Sequence, residues 1–165
     1  MSPTPTGRLL RTDEGYELVL TRTFRAPIDD VWASVTESDR TARWFGPWRG
    51  DAAPGNAIQV QLSAEDGAPW SDVRIDACEP PRHLTVTLTD ESGGWRLELR
   101  LTEHEGITTL RFTQQLDSVD GVGDIGPGWE FYLDRLVAAR DGSALPDFDD
   151  YHPAQKAYYE SGPGL

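Results

Sequence analysis

The sequence is short of cysteine, short of cations and without long apolar runs, and each shortage removes a class of explanation. Cys78 is the only cysteine, so no internal disulfide can staple the chain. At 165 residues the chain is long enough to rely on one buried apolar core instead. No apolar stretch approaches the roughly 20 residues that span a bilayer, and no apolar signal region opens the chain. A soluble protein of the reducing cytoplasm, without transmembrane anchoring, is the expectation. Lys and Arg number 15 against 28 Asp and Glu, for a formal net charge of -13. A surface of that sign repels phosphate backbones and anionic leaflets, so nucleic acid is not an expected partner.

Catalytic and metal signatures are equally scarce. His83, His104 and His152 are the only histidines. They lie far apart, in predicted turns or in the tail, with no Cys or acidic neighbour at a metal-ligand spacing. No nucleophile elbow, phosphate-binding glycine loop or dinucleotide fingerprint occurs. The stretch DGVGDIGPG is glycine-rich, but its acids repel phosphate and its spacing is not that of a phosphate cradle; it reads as a flexible gate before a helix. No metal and no cofactor is expected, and an enzyme is the less favoured class.

What the sequence does contain is alternation. Leu18, Leu20, Arg22 and Phe24 share one side of a predicted strand that starts at Tyr16. Pro27, tolerated at a first helical position, and the acids Asp29 and Asp30 then open a short helix, whose Ile28, Val31, Trp32 and Val35 fall on one face. Ser38 is placed to cap a second short helix, ended by Gly46 and Pro47 among Trp44, Phe45 and Trp48. Five further strands follow, marked by Ile58 to Leu62, Val73 to Ala77, Leu84 to Leu88, Trp95 to Leu101 and Leu110 to Leu116, with turn residues such as Pro80-Pro81 and Gly93-Gly94 between them. Trp129, Tyr132, Leu133, Leu136 and Val137 then build the apolar face of one long helix, stopped by Gly142.

Strands bunched together with helices set apart predict an α+β domain: a curved antiparallel sheet of six or seven strands wrapped around one long C-terminal helix, with two short helices after the first strand. Such a sheet, spanned by a helix only about 10 Å across, leaves room for a small-molecule pocket, one end of which the two short helices would cap.

The segments RTFRAPIDDVWASVTESDRTARWFGPW, DVRIDACEPPRHLTVTL and GPGWEFYLDRLVA resemble, over about Tyr16 to Gly142, proteins similar to the C-terminal domain of the activator of the heat-shock-protein-90 ATPase, members of the START-like (SRPBCC) superfamily. The resemblance implies a helix-grip fold with a cavity between the sheet and the last helix. It divides the chain into a flexible N-terminal arm (1–15), a START-like domain (16–142) and a C-terminal tail (143–165). Because only a short arm precedes the first strand, a chaperone-stimulating role is not expected.

Three functions stay open. The first is binding of a small, mostly apolar ligand in the cavity, by Phe24, Trp32, Trp44, Phe112, Trp129 and Leu133, with Arg22 and Gln114 as polar anchors. The second is a co-chaperone-type interaction module that binds a chaperone or other protein. The third is a cofactor-free enzyme of the cyclase or aromatase kind. The apolar face of the long helix reads first as plain core, since apolar stripes at helical spacing usually just pack. An inward Arg22 calls for a carboxylate, a bound water or an anionic ligand head, or else snorkels to solvent. Phe131 falls on the back of the helix, where Phe148, Tyr151, Tyr158 and Tyr159 of the tail either fold over it or leave a self-association patch. Monomer and homodimer are both compatible with the sequence.

Overall fold

The computed structural model of the chain describes residues 3–90 and 93–165. β1 (Arg8–Thr12) and β2 (Gly15–Phe24) lead into α1 (Ile28–Thr36) and α2 (Ser38–Thr41). Then come β3 (Trp48–Arg49), β4 (Ala57–Gln61), β5 (Trp70–Glu79), β6 (His83–Asp90), β7 (Gly93–His104) and β8 (Ile107–Leu116), and α3 (Val122–Asp141) crosses the sheet they form. The strands make an 8-stranded sheet in the order β1-β2-β8-β7-β6-β5-β4-β3, antiparallel throughout. A register shift between Ile75 and Ala77 of β5 bends the sheet locally. This is the helix-grip arrangement expected from the sequence, with β1 and the two-residue β3 added.

The period of two sets the faces. Leu18, Leu20 and Phe24 of β2 are buried, and β8 sets Gln114, Phe112 and Leu110 opposite Leu18, Leu20 and Arg22. α1 buries Ile28, Val31 and Val35, as its spacing predicts, and its first amide, on Ile28, donates to the Glu103 carboxylate at 2.7 Å. Ser38 does not cap α2: Glu37 takes that place, because the Ser38 hydroxyl is engaged by the Trp48 backbone amide (2.9 Å) and carbonyl (2.8 Å).

Three segments differ from the sequence reading. Met1 and Ser2 of the expected arm lie outside the described residues, but from Arg8 the arm is an edge strand whose Leu9 is fully buried. A single inward apolar residue carries no readable period. Gly93 and Gly94, expected in a turn, open β7. The expected glycine-rich gate is the first part of α3, which begins at Val122 and holds Pro127 inside it. Its glycines are there for packing. A side chain on Gly126 would strike the Tyr159 ring, and one on Gly123 would press on Lys156 and Glu160.

Those contacts come from the tail, which folds back. A 3-10 turn (Phe148–Asp150) and α4 (Lys156–Glu160) cross α3, and Phe148 and Tyr151 set their rings edge-on to Phe131 at 5.3 and 5.7 Å. Beneath them lies Glu130, 1% exposed. It accepts from Arg22 Nη2 (2.9 Å), the Tyr159 hydroxyl (2.7 Å) and the Thr6 hydroxyl (2.8 Å) and amide (2.5 Å). Asp134, one turn on, takes Arg22 Nε at 3.0 Å and the Tyr151 hydroxyl at 2.6 Å. Burial works to raise the Glu130 carboxyl, but the Tyr159, Arg22 and Thr6 hydrogen bonds outweigh it and hold it below its ordinary value. Burial likewise opposes the Arg22 charge, and the Asp134 and Glu130 carboxylates outweigh it, holding the guanidinium above its ordinary value. Burial, followed by the Glu130 charge, pushes the Tyr159 phenol well above its ordinary value.

Removing one partner of a buried ion pair strands the other, so Glu130→Ala is expected to cost about 3–5 kcal/mol in urea unfolding. A carboxyl lowered in the folded state stabilises fully above its ordinary value of 4.5 and loses that contribution as pH falls through the lower folded value. The wild type should therefore lose stability as pH falls from about 4.5 toward that lower value, and Glu130→Ala should flatten this acid limb.

Candidate functional site

The sheet is wider than the helix that covers it. Strands spaced about 4.8 Å apart outreach a helix about 10 Å across several times over. α3 sits over the β2 half, where Leu133 and Leu136 join Leu18, Leu20 and Leu110 in one buried cluster. Ile58, Val60, Val73 and Ile75 of β4 and β5 form a second cluster, covered by Phe45 and Trp48 from the α2–β3 segment. Between the clusters lies an inner chamber of about 230 Å³, bordered by β4 to β8, by Trp129 and Leu133 of α3, and by Val35, Trp44 and Trp48 around the short helices. The three aromatics after α2 are thus the cap that the short helices were expected to form.

An outer chamber of about 460 Å³ adjoins it, bordered by the β4–β5 connection, Trp95 and the first half of α3. Phe45, Leu88 and Trp129 line both chambers and so stand between them. Trp129 is held in place by its own N–H, which donates to Gln114 Oε1 at 2.6 Å inside the core. Around its ring lie Phe112 at 4.4 Å, Tyr132 at 5.7 Å, Phe45 at 6.2 Å and Trp95 at 6.5 Å. The Tyr132 hydroxyl donates to Glu65 at 2.8 Å, tying the β4–β5 connection to α3. Burial first, and the Glu65 charge after it, push the Tyr132 phenol well above its ordinary value.

The inner chamber offers almost no free polarity. Thr36 and Thr41 donate to the Trp32 and Gly46 carbonyls, both at 2.7 Å. The Trp44 and Trp48 N–H groups donate to the Ser34 and Thr36 carbonyls at 2.9 and 2.8 Å. Cys78 is the remaining polar side chain in the lining, and burial pushes its thiol up. Among the described residues, no charged side chain lines this chamber.

Of the residues singled out in the sequence, Trp44, Phe112, Trp129 and Leu133 meet at the inner chamber. Arg22, Phe24, Trp32 and Gln114 line neither chamber. Arg22 does face inward, but the carboxylates it required are Glu130 and Asp134. Gln114 is engaged by Trp129, Phe24 lies under the Arg140 guanidinium at 5.5 Å, and Trp32 packs half-buried on the core. Sequence reasoning did not include Phe45, Leu88, Trp95 or the acids of the β4–β5 connection. Phe45 was readable as one of the cap aromatics. Glu65 and Asp66 sit in a polar turn that carries no sign of what it overhangs. No group of His, Cys, Asp and Glu among the described residues could hold a metal ion.

Gln114→Leu leaves the buried Trp129 N–H unpaired and is expected to cost about 1–3 kcal/mol in urea unfolding. Trp129→Ala should cost about 3–5 kcal/mol, whereas a loss near zero would place the ring outside the core.

Residues 25–140 match the family model described as Activator of Hsp90 ATPase homolog 1-like protein. Among solved structures, CalU16 from Micromonospora echinospora is 25% identical with a TM-score of 0.76, the match covering 96% of each chain. The protein encoded by gene BPP1335 of Bordetella parapertussis is 23% identical with a TM-score of 0.75, over 100% of this chain and 96% of that one. DynU16, a protein of the dynemicin biosynthetic locus, is 24% identical with a TM-score of 0.69, over 83% of this chain and 51% of its own length. No curated protein matches the sequence. Among the described residues, no helix is long and apolar enough to cross a membrane.

Proposed function

The chain belongs to the family of Activator of Hsp90 ATPase homolog 1-like proteins, and from that starting point we propose that it binds a small, mostly apolar molecule between the sheet and α3. One observation carries this reading: the inner chamber is walled by apolar side chains, and the hydroxyl and indole groups that border it are already engaged within the protein. A wall of that kind rewards the burial of apolar area at about 25 cal/mol per Å² and penalises any ligand atom that needs a hydrogen bond.

The same wall weighs against the cyclase or aromatase reading, which needs an acid or base beside the reacting carbon. It weighs less directly against the interaction module, which needs no chamber at all. Of the large apolar side chains left exposed among the described residues, Leu10, Trp70 and Ile107 lie on three different strands, while Val119 and Leu165 border one surface pocket. Trp70, the largest of them, is itself covered by the Arg49 guanidinium at 4.0 Å.

The inner chamber alone is smaller than the roughly 300–1,000 Å³ usual for small-molecule sites. A ligand of ordinary size would seat its apolar end there and extend past Trp129 into the outer chamber.

Nile red, a neutral apolar dye, should bind with enhanced emission at one site per chain. Val86→Trp, which places a ring in the inner chamber, should weaken that binding at least about tenfold while the far-ultraviolet circular dichroism stays unchanged. A folded Val86→Trp protein that binds the dye as well as the wild type would contradict the reading.

A further inference from the structure

The two chambers differ in charge. Among the described residues the inner one has none, while the outer one is bordered by Glu65, Asp66 and Asp124 and by no Lys or Arg. Asp124 is shared with His152 at 2.6 Å and with Lys156 at 3.9 Å. Among the described residues the Glu65 side chain accepts from the neutral Tyr132 hydroxyl and has no ion-pair partner. Asp66 has no ion-pair partner among the described residues, in a protein whose net charge is already -13.

Beside the acids, the outer wall carries several aromatic side chains together with aliphatic ones such as Leu62, Leu88 and Ile125. Phe45, Trp95, Trp129 and Tyr132 border the same space, with centroid separations of 5.0 Å between Phe45 and Tyr132, 5.7 Å between Trp129 and Tyr132, and 6.5 Å between Trp95 and Trp129. Aromatic faces are the negative ends of ring quadrupoles, and an organic cation beside them gains about 0.5–2 kcal/mol. Rings and carboxylates around one opening therefore attract the same kind of group. An anionic head would be repelled there, and a neutral one would gain nothing from the charges.

We propose that the ligand is an amphipathic organic cation, an amine protonated at neutral pH or a quaternary ammonium. Its apolar body fills the inner chamber, and its charged group sits in the outer chamber among the aromatic rings beside Glu65 and Asp66. This deepens the apolar-ligand reading and rests on it. The orientation follows from the charge difference: the end that cannot be desolvated stays at the acidic rim, and the end that gains from desolvation goes inside.

The test uses three probes with one tail, dodecyltrimethylammonium, dodecanol and dodecanoate, each below its micelle concentration and each displacing Nile red from the full chain at moderate salt. The ammonium should bind at least about tenfold more tightly than the alcohol, with the carboxylate weakest. In the double variant Glu65→Gln, Asp66→Asn the preference for ammonium over alcohol should fall below about threefold. The variant Asp13→Asn, Glu14→Gln, which removes the same charge from the distant β1–β2 turn, should keep the full preference, separating the rim from the general field of an acidic protein. Equal binding of alcohol and ammonium, or an equal loss of preference in both double variants, would overturn the cation proposal and leave the apolar site standing. Failure of all three probes to displace the dye, or of the dye to bind, would overturn both.

Discussion

The hydrogen bond from the Trp129 indole to Gln114 fixes where the interior of this protein is filled and where it is left open. A buried indole needs a partner for its N–H, and here the partner comes from the middle of β8, the strand that pairs with both β2 and β7. With that end of the ring pinned, its apolar edge is held between Phe112 and Phe45, at the boundary of the two chambers. Replacing the amide by an apolar side chain would free the ring to pivot, and the boundary would lose its definition.

α3 can hold that ring only because its opposite side is anchored as firmly. Trp129, Leu133 and Leu136 recur at the spacing that keeps one helix face toward the sheet, while Glu130 and Asp134, one turn apart, face Arg22 and the returning tail. The N-terminal segment, β2, α3 and α4 all meet at Glu130 through hydrogen bonds. A buried charge of this kind is weak evidence of net stabilisation, but it penalises every arrangement in which one of its partners is missing. The chambers thus owe their shape to a polar cluster on the far side of the helix that borders them.

Much of this was legible in the sequence where the signal is periodic. β2, the meander, the docking face of α1 and the Gly142 stop all follow from spacing and turn chemistry. What escaped was set by partners distant in the chain. The glycines of DGVGDIGPG read as a loop because glycine and proline usually break a helix, yet Gly126 is small to admit Tyr159 from the tail. Leu9 lies on an edge strand too short to show alternation. Arg22 was recognised as inward by parity alone, but nothing local shows that its carboxylates lie more than 100 residues away, on α3. For the same reason the site was read only in part. The cap aromatics and the helix face were visible, whereas the acids that overhang the outer chamber belong to a turn whose composition is that of any solvent-exposed connection.

The central claim is that the space between the sheet and α3 is kept for a small molecule and is not a packing fault. Native mass spectrometry of the full chain purified from its own host, under conditions that preserve non-covalent complexes, tests this most directly. The expected result is a discrete added mass of a few hundred daltons that mild collisional activation releases, and that is missing from a chamber-filling variant prepared in the same way. The bare polypeptide mass from fresh preparations, unchanged after incubation with apolar amines and alcohols, would contradict it.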